Sequence, residues 1–160
     1  MKYEIIELEE LSGEKCSIYS LMQEGQDKTL FDVFYEKCIA LFPEEIENID
    51  FRLYAIGNRF GAREQFFKIN EGSPGDGVCA LYDIPGSKLR LYCVRFGTIA
   101  LVLGGGSNKP KNIRSWQEDE NLSREVHLMM SAAQAIAEKI RNKAITITES
   151  GLYGDLTIEL

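Results

Sequence analysis

The chain offers one stretch in which positive charge, backbone freedom and strand-forming residues coincide, the run from Lys88 through Arg90, Tyr92 and Arg95 to Gly104-Gly105-Gly106 and Lys109. These residue types suit chemistry on a phosphate. A guanidinium on a rigid strand can clamp two phosphate oxygens, which makes Arg90 the candidate for stabilising a phosphorane. Attack of a 2′-hydroxyl on its own phosphate also needs a proton acceptor and a group to assist the leaving oxygen. Asp83 is the only ionisable side chain of the preceding run 78–84; it stands either as that acceptor or as an ordinary turn residue ahead of Pro85-Gly86. The three glycines would let backbone N–H groups approach an anion, or they mark a plain strand-to-loop exit. The Gly-x-x-x-x-Gly-Lys-Ser/Thr spacing of a nucleotide-binding P-loop is absent. His127 has acid–base chemistry, but it follows Val126 on a helical pattern far along the chain and is expected at the surface or a boundary.

Charge is distributed unevenly around this stretch. Residues 1–50 hold 4 Lys/Arg against 13 Asp/Glu, a net of −9; residues 51–115 hold 10 against 4, a net of +6; residues 116–160 hold 4 against 8, a net of −4. A basic centre inside a chain of net charge −7 favours anionic partners, RNA among them, although the same cations can serve by pairing with the acids of the first fifty residues. Cys16, Cys38, Cys79 and Cys93 are widely spaced, form no Cys-x-x-Cys pair and have one histidine for company. No metal site, cofactor or disulfide framework is expected from them. The alternating start and the lack of any run of about 18 apolar residues predict a cytoplasmic chain without a membrane span.

The elements that must carry these residues are legible from periodicity. With 160 residues and 44% apolar content, a single domain over 1–160 is expected. Residues 2–8 alternate as a first strand. From Thr29, Leu30, Phe31, Phe34, Tyr35, Cys38, Ile39 and Phe42 recur at helical steps, with Asp27 or Thr29 as cap and Pro43 as the end. Residues 44–63 fit helix or strand. Residues 70–77 are dense in turn formers, and the runs 78–84, 89–96 and 98–103 predict an antiparallel meander. Alternation places Arg90, Tyr92 and Val94 on one face and Leu89, Leu91, Cys93 and Arg95 on the other. If a helix covers the Leu89/Leu91/Cys93 face, Arg90 and Tyr92 face a cleft. The steps from Leu122 through Val126, Met129, Ala133 and Ile136 to Ile140 predict a long amphipathic helix over the sheet. Residues 144–149 and 154–160 predict a C-terminal β-hairpin.

The meander resembles the RelE/ParE/HigB-like toxins of bacterial toxin–antitoxin systems. The likeness rests on Phe66-Phe67-Lys68 before a Gly-rich loop, on Leu89-Arg90-Leu91-Tyr92-Cys93-Val94, and on the run 98–106 leading to Asn108-Lys109-Pro110-Lys111; it spans about residues 60–140. The resemblance implies an α+β fold in which a small curved antiparallel sheet packs against helices. It also implies ribosome-dependent cleavage of mRNA, although other branches act on gyrase, so fold likeness alone does not fix the substrate. The site it implies has Arg90, Lys109 and Asp83 in catalysis and Lys68, Lys111, Arg114 and Trp116 on the RNA. Trp116 would stack on a base or plug the core. The implied partners are a small antitoxin protein and the mRNA or ribosome.

Two classes of function follow. The first is a toxin-like endoribonuclease. The second is a non-catalytic relative of the same fold, a binding or assembly module that uses its acidic first third and C-terminal hairpin for protein contacts. The strand ahead of Arg90 lacks the cation or glutamate that the family often places there, which favours the second; Arg90, the Gly-rich run and the basic centre favour the first.

Overall fold

The structure is a computed structural model that describes residues 1–82, 84–108 and 116–160. The N-terminal strands β1 (Lys2–Glu7) and β2 (Ser17–Gln23) pair antiparallel. Two helices follow, α1 (Leu30–Ile39) and α2 (Pro43–Ala55). Thr29 caps α1 through a capping box with Asp32, each side chain accepting from the other residue's backbone N–H. Pro43 does more than stop α1: it occupies the first turn of α2, where its missing N–H costs no hydrogen bond. The ambiguous stretch 44–63 is therefore mostly helical, and a π turn at Ile56–Phe60 ends it.

A two-residue strand β3 (Phe67–Lys68) leads through the turn-rich loop to the meander β4 (Val78–Leu81), β5 (Leu89–Phe96) and β6 (Ala100–Asn108). The chain then runs into α3 (Glu120–Arg141), capped by Asp119, and on to β7 (Ile145–Thr148), β8 (Gly151–Gly154) and β9 (Thr157–Glu159). The main sheet has seven strands in the order β3-β4-β5-β6-β2-β1-β9, with β7 and β8 forming a separate pair. Every neighbour in the main sheet is antiparallel except β2 and β6, which are parallel. The fold is α+β as expected, but its sheet is larger than the small antiparallel one anticipated, and mixed, because β2 joins the meander from outside it.

Alternation along β5 separates two cores. Leu89, Leu91 and Cys93 pack with Phe31, Phe34 and Cys38 of α1 and Ile46, Ile49 and Leu53 of α2. Tyr92 and Val94 pack with Leu122, Val126, Met129 and Ile136 of α3. The long helix thus covers the Tyr92 face, the opposite of the arrangement that would have opened Arg90 and Tyr92 to a cleft. Tyr92 is fully buried and Arg90 is 7% exposed.

The glycines Gly104-Gly105-Gly106 lie inside β6 and are not its exit. Pairing shifts between Leu91 and Cys93, so two residues of β6 oppose Tyr92 in a bulge. A Cβ on Gly104 would meet Met129 and one on Gly105 would meet the Glu125 carboxylate, so both positions face α3. A Cβ on Gly106 would run into Arg90 O and lie 2.9 Å from the Phe34 ring. The glycines serve close packing of layers.

The C-terminal hairpin is tighter than anticipated. Thr148 pairs directly with Gly151, and Leu152 N–H donates to the Tyr19 hydroxyl at 2.8 Å while Ser17 Oγ donates to Ser150 O at 2.9 Å. The remaining tail, β9, pairs with β1 at the sheet edge.

Candidate functional site

The loop after β3 builds the site. Asn70 adopts a left-handed φ of 61°, a conformation that asparagine tolerates, and this turns the chain so that Glu71 N–H donates to Val78 O at 3.1 Å. The Asp76 carboxylate then closes the loop, accepting from Ser73 N–H at 2.8 Å and Val78 N–H at 2.9 Å. Glu71 is held with its side chain 8% exposed beside the meander.

Three residues singled out from the sequence converge on Glu71. Arg90 Nη1 lies 3.9 Å from Glu71 Oε1, and Lys68 Nζ lies 3.6 Å from the same oxygen. Trp116 Nε1–H donates to Glu71 O at 2.8 Å, tying the short 3-10 turn Trp116–Glu118 ahead of α3 to the loop. His127, about two turns along α3, sets its ring edge-on to Trp116 with centroids 5.4 Å apart, and its Nδ1 lies 3.4 Å from Ser123 Oγ. Lys68 is 43% exposed and His127 is exposed, so the outer part of the cluster meets solvent while Arg90 and Glu71 lie beneath.

The arrangement joins two cations, a buried carboxylate, an indole and an imidazole. Two cations around one carboxylate leave a net positive charge able to meet an anion. Arg95 takes no part: its guanidinium donates to Ala62 O from Nε at 2.9 Å and from Nη2 at 2.6 Å and lies over the Phe67 ring, on the α1–α2 side of the sheet. Asp83, Lys109, Lys111 and Arg114 lie outside the described residues. Among the described residues no group of three His, Cys, Asp or Glu is placed to hold a metal ion, and none of their helices is long and apolar enough to cross a membrane.

Glu71 is the residue that sequence reasoning passed over, because it sits among turn formers and looks solvated. Only the turn at Asn70 carries it inward. His127 is exposed, in line with the expectation for it, yet its contact with Trp116 attaches it to the cluster. Comparison of the chain with protein-family models, with curated proteins and with solved structures gives no match in any of the three.

Proposed function

We propose that the chain is a toxin-like endoribonuclease of the RelE/ParE/HigB-like kind, acting on mRNA, with its site at the Glu71 cluster. The observation that carries this reading is the convergence of three residues on Glu71 at the edge of the meander, Lys68 and Arg90 on its carboxylate and Trp116 on its backbone carbonyl. Lys68 and Lys109 meet the scissile phosphate, Glu71 orients Lys68 and Arg90, and Trp116 with His127 offers aromatic surface to a base. Lys111 and Arg114 add contacts to the RNA backbone. Asp83 or a backbone-held water takes the 2′-hydroxyl proton, and His127 adds a second acid–base group. In the reaction the 2′-oxygen bonds to phosphorus and the P–O5′ bond breaks. The products are a 2′,3′-cyclic phosphate and a 5′-hydroxyl that receives the proton. An antitoxin protein that covers the basic face is the proposed regulator, and the cytoplasm the proposed compartment.

The test is incubation of purified chain with defined mRNA, with and without ribosomes, followed by analysis of the new ends. Cyclic-phosphate ends that disappear with Lys68→Ala/Lys109→Ala support the reading; uncut RNA in both conditions contradicts it. The non-catalytic binding or assembly module is favoured by a different observation. Arg90 is almost wholly buried beside Glu71, which suits a structural ion pair, and α2 exposes Phe51 and Tyr54 one turn apart.

A further inference from the structure

A cavity of about 750 Å³ runs along α3 from His127 to Arg141, closed on its other side by the loop 73–77 and the end of β5 at Phe96. Its size is that of a small-molecule site. Its lining mixes apolar side chains, Phe96, Met130, Ala137 and Ile140 among them, with the polar Ser73, Asp76, Ser131, Gln134 and Arg141. Gln134 brings an amide that both donates and accepts. Arg141 stands two turns further along, roughly 10 Å by helical rise, and has no ion-pair partner among the described residues. The other lining charges are committed elsewhere: Asp76 accepts two backbone N–H groups, and the Arg95 guanidinium is turned to Ala62 O. At the near end His127 links the slot to Trp116 and through it to Glu71.

We propose that this slot holds one nucleoside phosphate unit. The base lies between the Ala133/Ala137 wall and the loop 73–77, its edge is read by the Gln134 amide, and its phosphate is met by Arg141. A flat heteroaromatic ring satisfies the apolar side chains and the amide together, and Arg141, which has no ion-pair partner among the described residues, fits one attached anion. The inference rests on the RNA-directed reading above and extends it to a subsite, with the ligand taken either from a single strand or as a free nucleotide.

The test uses the full chain, titrated with AMP, GMP, CMP and UMP and separately with a single-stranded RNA tetramer. Emission from Trp116, the only tryptophan, and the NMR shift of the Gln134 amide report binding. The expected result is a saturable response to at least one mononucleotide, weakened about tenfold or more by Arg141→Ala and lost in Ala137→Phe. Gln134→Leu, at an exposed position, serves as the second blocking variant if Ala137→Phe does not fold. Tighter binding of the tetramer identifies a strand as the source; equal affinity identifies the free nucleotide. No saturable response to either probe at millimolar concentration, or binding unchanged by these variants, overturns the proposal. Cleavage of RNA without mononucleotide binding removes the subsite alone, whereas mononucleotide binding without cleavage removes the ribonuclease reading alone.

Discussion

Glu71 reaches across 45 positions of sequence to Trp116, which its carbonyl holds, while its carboxylate faces Lys68 and Arg90. The two ion pairs differ in burial and so in worth. Lys68 is 43% exposed, and truncating it to alanine should cost less than about 1 kcal/mol. Glu71→Leu removes a buried acceptor from a buried arginine and should cost about 3 kcal/mol. Chemical denaturation of both variants checks the ranking, and equal costs would show that Glu71 is not the hub. At this scale the sequence was readable in part. Arg90 and Trp116 stand out by type and position, whereas the inward turn of Glu71 depends on the left-handed Asn70, and nothing in a run of turn formers marks which side chain will be buried.

At the scale of elements, the bulge in β6 is the feature on which the layers depend. A methyl on Gly106 meets backbone, Arg90 O, whereas a methyl on Gly105 meets only the end of the flexible Glu125 side chain. Gly106→Ala should therefore destabilise by roughly 3 kcal/mol and Gly105→Ala by clearly less, as thermal melts would show. Burial raises the Glu125 carboxyl from its ordinary value, with Lys37 and Arg124 pulling it back. A carboxyl raised on folding favours the folded state while protonated, and that advantage is lost as pH rises through its folded value. Glu125→Gln should thus raise stability over the parent chain at pH 7 and make no difference at about pH 3, below the unfolded value near 4.3. A variant less stable at pH 7 would show that the carboxylate is stabilised where it lies. The helices and the meander were legible because their periods are regular and capped. The glycines were not, since three in a row at the end of an apolar run read as an exit; only the side chains of α3 and the backbone of β5 reveal what a Cβ would meet at each. The expected hairpin failed in its second half because β8 takes the pairing positions of β7, and β9 pairs with β1 instead.

For the whole molecule, two cores lie on either side of one sheet, and the one that includes α1 and α2 buries all four thiols. Burial pushes Cys16 up to about 12 and Cys93 well above the ordinary thiol range, and Cys79 lies directly across the sheet from Cys93 with its sulfur 3.6 Å away. Iodoacetamide at pH 8 should leave the native chain unmodified and label four cysteines after unfolding; rapid native labelling would mean that one core opens readily. The charge asymmetry of the chain, −9 in its first fifty residues and +6 in residues 51–115, was legible at once. Alternation also separated Arg90 from Arg95, whereas the gathering of Arg90 with Lys68 was not legible, because it depends on the inward turn of Glu71. The central claim concerns what the gathered ones do, and the most direct measurement is growth and protein synthesis in a bacterial host after tightly controlled induction of the intact chain, beside Lys68→Ala/Lys109→Ala. The account predicts rapid arrest by the intact chain and relief by the double substitution. Normal growth with soluble, folded intact chain would contradict it and leave the binding-module reading in its place.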